Sequence, residues 1–136
     1  MATTISNDVT RIFPKMETLT AATTLTAADS GRTYLINGTG YTVTLPAPFA
    51  GFNVKFIVAA AFSTDTVVQT PADNRDTLNG GVIVNGAIVE SDATDRVTFE
   101  DDAESIGDFI EISSDGTSFF LFGNGNAASS ITVGEL

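Results

Sequence analysis

Between Leu25 and Val58 the chain packs three short β-type runs into one stretch, each closed off by residues that turn the backbone. Thr33–Ile36, Tyr41–Leu45 and Phe52–Val58 are separated by Asn37-Gly38, Gly40, Pro46, Pro48 and Gly51. Val, Ile, Thr, Tyr and Phe fill the runs, and Gly, Asn and Pro fill the gaps. No helix fits between punctuation this close, so the stretch predicts a β-meander with tight connections.

The same texture continues to the end of the chain. Further strands are expected at Thr23–Thr26, Thr66–Gln69, Val82–Val84, Ala87–Glu90, Arg96–Glu100, Phe109–Ser113, Thr117–Phe122 and Ser130–Val133. Turn residues separate them, among them Asn79-Gly80-Gly81, Asn85-Gly86, Asp115-Gly116 and Gly123-Asn124-Gly125-Asn126. Asn-Gly and Asp-Gly pairs favour positive φ at both central positions of a type I′ hairpin. Short strands at close spacing predict an all-β, single-domain antiparallel β-sandwich or barrel, jelly-roll-like in arrangement. In the run from Phe52, the residues Phe52, Val54, Phe56 and Val58 share one face, opposite Asn53, Lys55 and Ile57. Phe119-Phe120-Leu121-Phe122 is apolar on both faces, which marks either a central core strand or one pressed between subunits. Ten Phe residues supply the apolar area for one close-packed core.

Residues 1–22 differ. Ile5, Val9, Ile12, Phe13, Met16 and Leu19 stand isolated in a Thr-rich polar background. Offsets of four, three and four from Ile5 to Met16 fit a helix loosely, but Pro14 interrupts it and the Thr and Val content disfavours it. The expected organisation is an N-terminal arm over 1–22 and a β domain over 23–136.

Composition narrows the chemistry. The chain has neither Cys nor His, which removes disulfides, thiolate and imidazole metal sites, and the commonest general base. No enzymatic role and no cofactor are expected. Seventeen Asp and Glu against six Lys and Arg give a formal net charge of −11. Such a surface repels phosphate backbones and anionic membranes, and the basic residues are scattered, so neither nucleic acid nor membrane is an expected partner. No basic-plus-apolar N-terminal segment and no apolar run of spanning length occurs, and with no Cys the expectation is a protein made in a reducing cytoplasm.

Ten acidic residues lie between Glu90 and Asp115, with Arg96 as their one basic neighbour. Glu100-Asp101-Asp102 and Glu104 offer oxygens of the kind Ca²⁺ takes, but the alternating-Asp loop with its central Gly is missing. A solvated acidic loop is the expectation, with no metal. Paired carboxylates also raise glycoside hydrolysis, yet these acids cluster in one segment and only Tyr34 and Tyr41 offer hydroxyl-bearing rings beside a sugar.

The residues Leu25, Thr26, Asp29, Ser30, Gly31, Thr33, Tyr34, Thr42, Thr44, Leu45, Pro46, Ala50, Gly51 and Phe56 carry a resemblance. In their order and spacing they are similar to a module recurrent in tailed-bacteriophage virion proteins, found in tail fibres and in small capsid decoration (cement) proteins. The resemblance implies a structural virion protein on the outer capsid surface. With no heptad, collagen or β-helical shaft in the sequence, decoration is preferred to a fibre. The implied partner is the major capsid protein, and the implied assembly is a homotrimer. The arm is then the capsid-facing part, with Ile5, Val9, Ile12 and Phe13 as anchors and Arg11 and Lys15 meeting acidic shell residues. Phe119, Phe120 and Phe122 are the candidate subunit interface. The alternative is a tail-fibre or receptor-binding β module that takes a host glycan. A bacterial adhesion or carbohydrate-binding sandwich is a third reading, disfavoured by the lack of an export signal and of an expected surface aromatic cluster.

Overall fold

The runs that read as β in the sequence form strands in a computed structural model that describes residues 15–136. In chain order they are β1 (Met16–Thr18), β2 (Thr23–Thr24), β3 (Thr33–Gly38), β4 (Thr42–Thr44), β5 (Ala50–Phe62) and β6 (Thr66–Gln69). They continue as β7 (Leu78–Val84), β8 (Ala87–Thr94), β9 (Arg96–Phe99), β10 (Phe109–Asp115), β11 (Phe119–Gly125) and β12 (Ile131–Gly134). Two short 3₁₀ turns, Ala27–Asp29 and Ala72–Asn74, are the helical elements among the described residues.

The strands form two sheets packed as a sandwich, with no closed barrel. One sheet has seven strands in the order β1-β3-β5-β10-β11-β7-β8, and the other five in the order β12-β9-β6-β4-β2. All-β character and the sandwich are as expected, but the antiparallel, jelly-roll-like arrangement needs correction because both sheets are mixed. Strands β1, β3 and β5 run parallel, as do β2, β4 and β6, and β7 lies parallel to β11. The reason lies in where the turns lead. From β1 to β6 the chain alternates between the two sheets, so each strand of one sheet is the crossover that joins two parallel strands of the other. Asn37-Gly38 and Pro46 turn the chain as expected, yet they carry it to the opposite layer and do not close a hairpin.

True hairpins form where the Asn-Gly and Asp-Gly pairs lie. Asn85 (φ 50°) and Gly86 (φ 80°) both take the left-handed backbone of a two-residue turn between β7 and β8. Between β10 and β11 only Gly116 has positive φ, so the expected type I′ turn there is replaced by a longer loop. The Asp115 carboxylate holds that loop by accepting the Thr117 and Ser118 N–H groups, each at 2.9 Å.

The core lies between the sheets. Phe52, Val54, Phe56 and Val58 of β5 all point inward, as their alternation requires. They meet Ile110 and Ile112 of β10, Phe119 and Leu121 of β11, and Val43, Val68, Val97 and Phe99 from the five-stranded sheet. Phe52 and Phe119 make an edge-to-face pair with ring centroids 6.3 Å apart, and Tyr34 stacks on Phe56 at 5.4 Å.

Candidate functional site

Of the expected capsid-facing residues, Ile5, Val9, Arg11, Ile12 and Phe13 lie outside the described residues. Lys15 is described: its carbonyl accepts the Thr33 N–H at 2.8 Å, and its Nζ lies 3.0 Å from Glu17. That ammonium, hydrogen-bonded to Glu17, holds the Glu17 carboxyl below its ordinary value. Lys15 therefore sits where the chain joins β1, at the edge of the seven-stranded sheet. Met16–Thr18 and the buried Leu19, both inside the 1–22 segment, are the edge strand and part of the core.

The residues that carry the resemblance are scaffold. Leu25, Tyr34, Leu45 and Phe56 are buried. Asp29 accepts the Thr26 N–H at 2.9 Å, and Gly31 (φ 86°) donates its N–H to Asn53 at 2.7 Å. They fix how the chain passes from one sheet to the other, and Asp29 and Tyr34 also line a small cleft of about 200 Å³ with Glu17 and Arg32.

The three Phe residues proposed as an interface separate by alternation. Phe119 is fully buried against Phe52, whereas Phe120 is 44% and Phe122 is 55% exposed on the outer face of the seven-stranded sheet. Cross-strand register extends that face on both sides. One row runs Thr33, Lys55, Glu111, Phe122, Gly81 and Glu90 across six strands. The next row runs Leu35, Ile57, Phe109, Asn124, Ile83 and Ile88. Phe109 packs edge-to-face on Phe122 at 6.1 Å. Lys55 Nζ lies 4.7 Å from the Phe109 ring centroid and 3.5 Å from Glu111, a cation–π contact beside an exposed ion pair. Ile88, 79% exposed, ends the row on β8. A shallow groove of about 400 Å³ runs beside Phe120 and Phe122, floored by Lys55 and Glu111.

Sequence reading missed Phe109, Ile83 and Ile88 as surface residues. The available signal was consecutive apolar residues, Val82-Ile83-Val84 and Ala87-Ile88-Val89, which cannot all face the core of one sheet.

Many acidic residues between Glu90 and Asp115 are tied to backbone. Buried Asp108 accepts the Ser105 N–H, the Asn126 N–H and the Asn126 side-chain amide, at 2.8–2.9 Å. Glu104 accepts the Phe62 N–H at 3.1 Å, and Glu100 accepts the Thr132 hydroxyl. Asp101 shares a hydrogen bond with the Asp65 carboxyl, which raises its proton affinity above the ordinary carboxylate value. Glu90 and Asp92 are exposed on β8.

Among the described residues, Asp76, Asp95 and Glu135 form the one group of three carboxylates whose oxygens converge, within 4.8 Å of one another. Asp95 is buried there, accepting the Asp76 N–H at 2.7 Å and the Leu136 N–H at 3.1 Å. Those bonds, chiefly the one from Asp76, hold its carboxyl below the ordinary range. Glu135 shifts the other way, raised by loss of water and by the charges of Asp95 and Asp76. The arrangement therefore works as a tie between the 75–76 loop, the start of β9 and the end of the chain.

No family model, curated protein or solved structure matches the chain.

Proposed function

We propose that this protein is a structural virion component, a capsid decoration (cement) protein that binds the outer face of a viral shell and strengthens capsomer junctions by adhesion. The reading rests on the resemblance carried by Leu25 to Phe56. The observation that carries it further is the pairing of a two-sheet block with surfaces built for contact. Phe120 and Phe122 stand exposed on one face, and the N-terminal segment leaves from Lys15 at the edge of that sheet.

The mechanism is physical. Capsid seams are loaded from inside, and a stiff module that touches two or three subunits adds buried area across each seam. Several weak contacts made by one rigid body act at high effective concentration on one another, so the whole binds far more tightly than any one of them. Ile5, Val9, Ile12 and Phe13 are the proposed anchors on the major capsid protein, with Arg11 and Lys15 facing its acidic groups. No chemical step is involved.

The test removes residues 1–14, which spares β1 and the buried Leu19. Particles supplied with the truncated protein should lose its band on a stained gel, while its melting temperature stays within a few degrees of the full chain. Retained occupancy would overturn the role of the arm. Absence of the full chain from purified particles would overturn the function.

A tail-fibre or receptor-binding module is the second reading, favoured by the groove beside Phe120 and Phe122, where an aromatic ring and a Lys–Glu pair adjoin as in many sugar sites. Copy number per particle separates the two, with hundreds of copies for decoration and a handful for a tail.

A further inference from the structure

The outer face of the seven-stranded sheet is complementary to itself. With β11 as the centre line, β10 and β5 lie one and two strands to one side, and β7 and β8 lie one and two strands to the other. A two-fold axis along β11, in the plane of contact, lays β5 of one copy on β8 of the other and β10 on β7. Residues in one row then meet residues of the same row.

The register decides what each meets. In the Phe122 row, Lys55 lands on Glu90, Glu111 lands on Gly81, and Phe122 lands on its own copy. Gly81 has no side chain, and the Val89 carbonyl oxygen lies 2.8 Å from where its Cβ would stand, so the carboxylate that arrives there meets backbone. In the Phe109 row, Phe109 lands on Ile83 and Ile57 lands on Ile88. Within these five strands Lys55 finds its opposite, and Phe122, Phe109 and Ile57 each meet an apolar side chain, while Leu35 of β3 falls beyond the partner's β8. Sheets packed face to face keep their strands within about 30° of each other, which shifts the outer pairs by less than two residues.

We propose that this face is an isologous interface by which two copies of the chain pair, with Phe120 and Phe122 at its centre and Lys55–Glu90 ion pairs at both margins. Charge supports a second copy as occupant. The chain carries −11 overall, so two copies repel wherever their general surfaces meet. This face brings a cation and an anion to matching positions around an apolar ridge, where like chains can approach. Five strands about 4.8 Å apart, read over three rows, give about 500 Å² per copy. Both copies together reach about 1,000 Å², the lower end of specific interfaces. A reversible pair with micromolar dissociation constant is expected. The inference stands apart from the virion reading, since it concerns the protein in solution.

Sedimentation equilibrium of the full chain tests it, from low micromolar to several hundred micromolar. The mass should rise from 14.2 kDa toward twice that value. Lys55→Glu and Glu90→Lys should each weaken pairing about tenfold or more through like-charge contact. The double variant should restore it, because within one copy these residues sit four strand spacings, about 19 Å, apart and cannot compensate each other. Phe122→Lys should leave a folded monomer, checked by circular dichroism. A 14.2 kDa species at every concentration, a three-copy mass, or failure of the double variant to recover would each overturn the proposal. So would self-association that vanishes on deleting residues 1–14 yet survives Lys55→Glu, since the N-terminal segment would then be the occupant.

Discussion

Phe119→Ala and Phe122→Ala make a matched pair, because the same atoms are deleted three residues apart on one strand and the fold assigns them opposite faces. Phe119 is fully buried, with Phe52 edge-on at 6.3 Å and with Leu78 of β7 and Ser114 of β10 as its strand neighbours. Truncating a ring in such a site removes its transfer energy and leaves a cavity, for a cost of about 3–5 kcal/mol. For a domain of this length that corresponds to a fall of about 10–20 °C in melting temperature. Phe122 keeps 55% of its surface in water, so it has under half of its burial to lose. Its remaining share and its contact with Phe109 together amount to about 1 kcal/mol. Urea unfolding followed by far-ultraviolet circular dichroism, at protein concentrations low enough to hold the chain monomeric, reads both differences directly. The midpoint should move at least three times further for Phe119→Ala, with unchanged slope. Equal losses, or a larger loss at Phe122, would mean that β11 is slipped by one residue, and both the core and the outer face described here would be wrong.

Two carboxylate substitutions read against pH and a pair of glycine substitutions give further outcomes. Asp95, Asp115 and Glu17 all bind protons less readily in the fold than usual, so their stabilisation is present above about pH 4 and is lost as pH falls through their lower folded values. Glu135 is raised, so its charged form costs stability at neutral pH and that cost disappears on protonation. Glu135→Gln should therefore raise the urea midpoint at pH 7 and change nothing near pH 3. Asp95→Asn should lose about 1–3 kcal/mol at pH 7, because its amide presents a donor to the Leu136 N–H, and the gap should narrow in acid. The reverse pattern for Glu135 would refute the loss of water and the charges of Asp95 and Asp76 as the causes of its raised value. Gly123→Ala places a Cβ 2.3 Å from the Phe109 carbonyl oxygen across the β10–β11 pair, whereas Gly86→Ala meets nothing within 4 Å and strains only its own φ of 80°. Calorimetry should show Gly123→Ala as the more damaging by about 2 kcal/mol, and equal effects would refute that strand pairing.

Strand positions were legible because β-branched and aromatic runs alternate with Gly, Asn and Pro at nearly every boundary. Direction was not. A turn residue states where the backbone bends and is silent about whether the next strand joins the same sheet or the opposite one. Asn85-Gly86 closes a hairpin, while Asn37-Gly38 sends the chain across the core to β4. Parallel pairing follows from that crossing and has no local signature. The edge strand β1 was equally hidden, since Met16–Thr18 is three residues long and its pairing depends on Thr33–Leu35. Leu19 reads as one more isolated apolar residue of a polar segment, yet it fills the core because β1 places it there.

The face that matters for association was half legible, and the missing half shows what a strand pattern contains. Phe119-Phe120-Leu121-Phe122 announces two apolar faces but not which of them is covered. Within a single strand the two are equivalent, and only the partner layer distinguishes them. Once Phe52 and Phe56 are inward, the register of β5 with β10 and of β10 with β11 fixes Phe119 and Leu121 inward too. Phe120 and Phe122 are then outward with no further freedom. The same register carries on through β7 to β8 and sets Glu90 in one row with Lys55. Neither residue signals a site alone, being one of many charges in an acidic chain. Their relation arises from four successive strand pairings, two of them between segments more than twenty residues apart in sequence. A surface of this kind is a property of topology, so it becomes readable only after every strand has been assigned its neighbours.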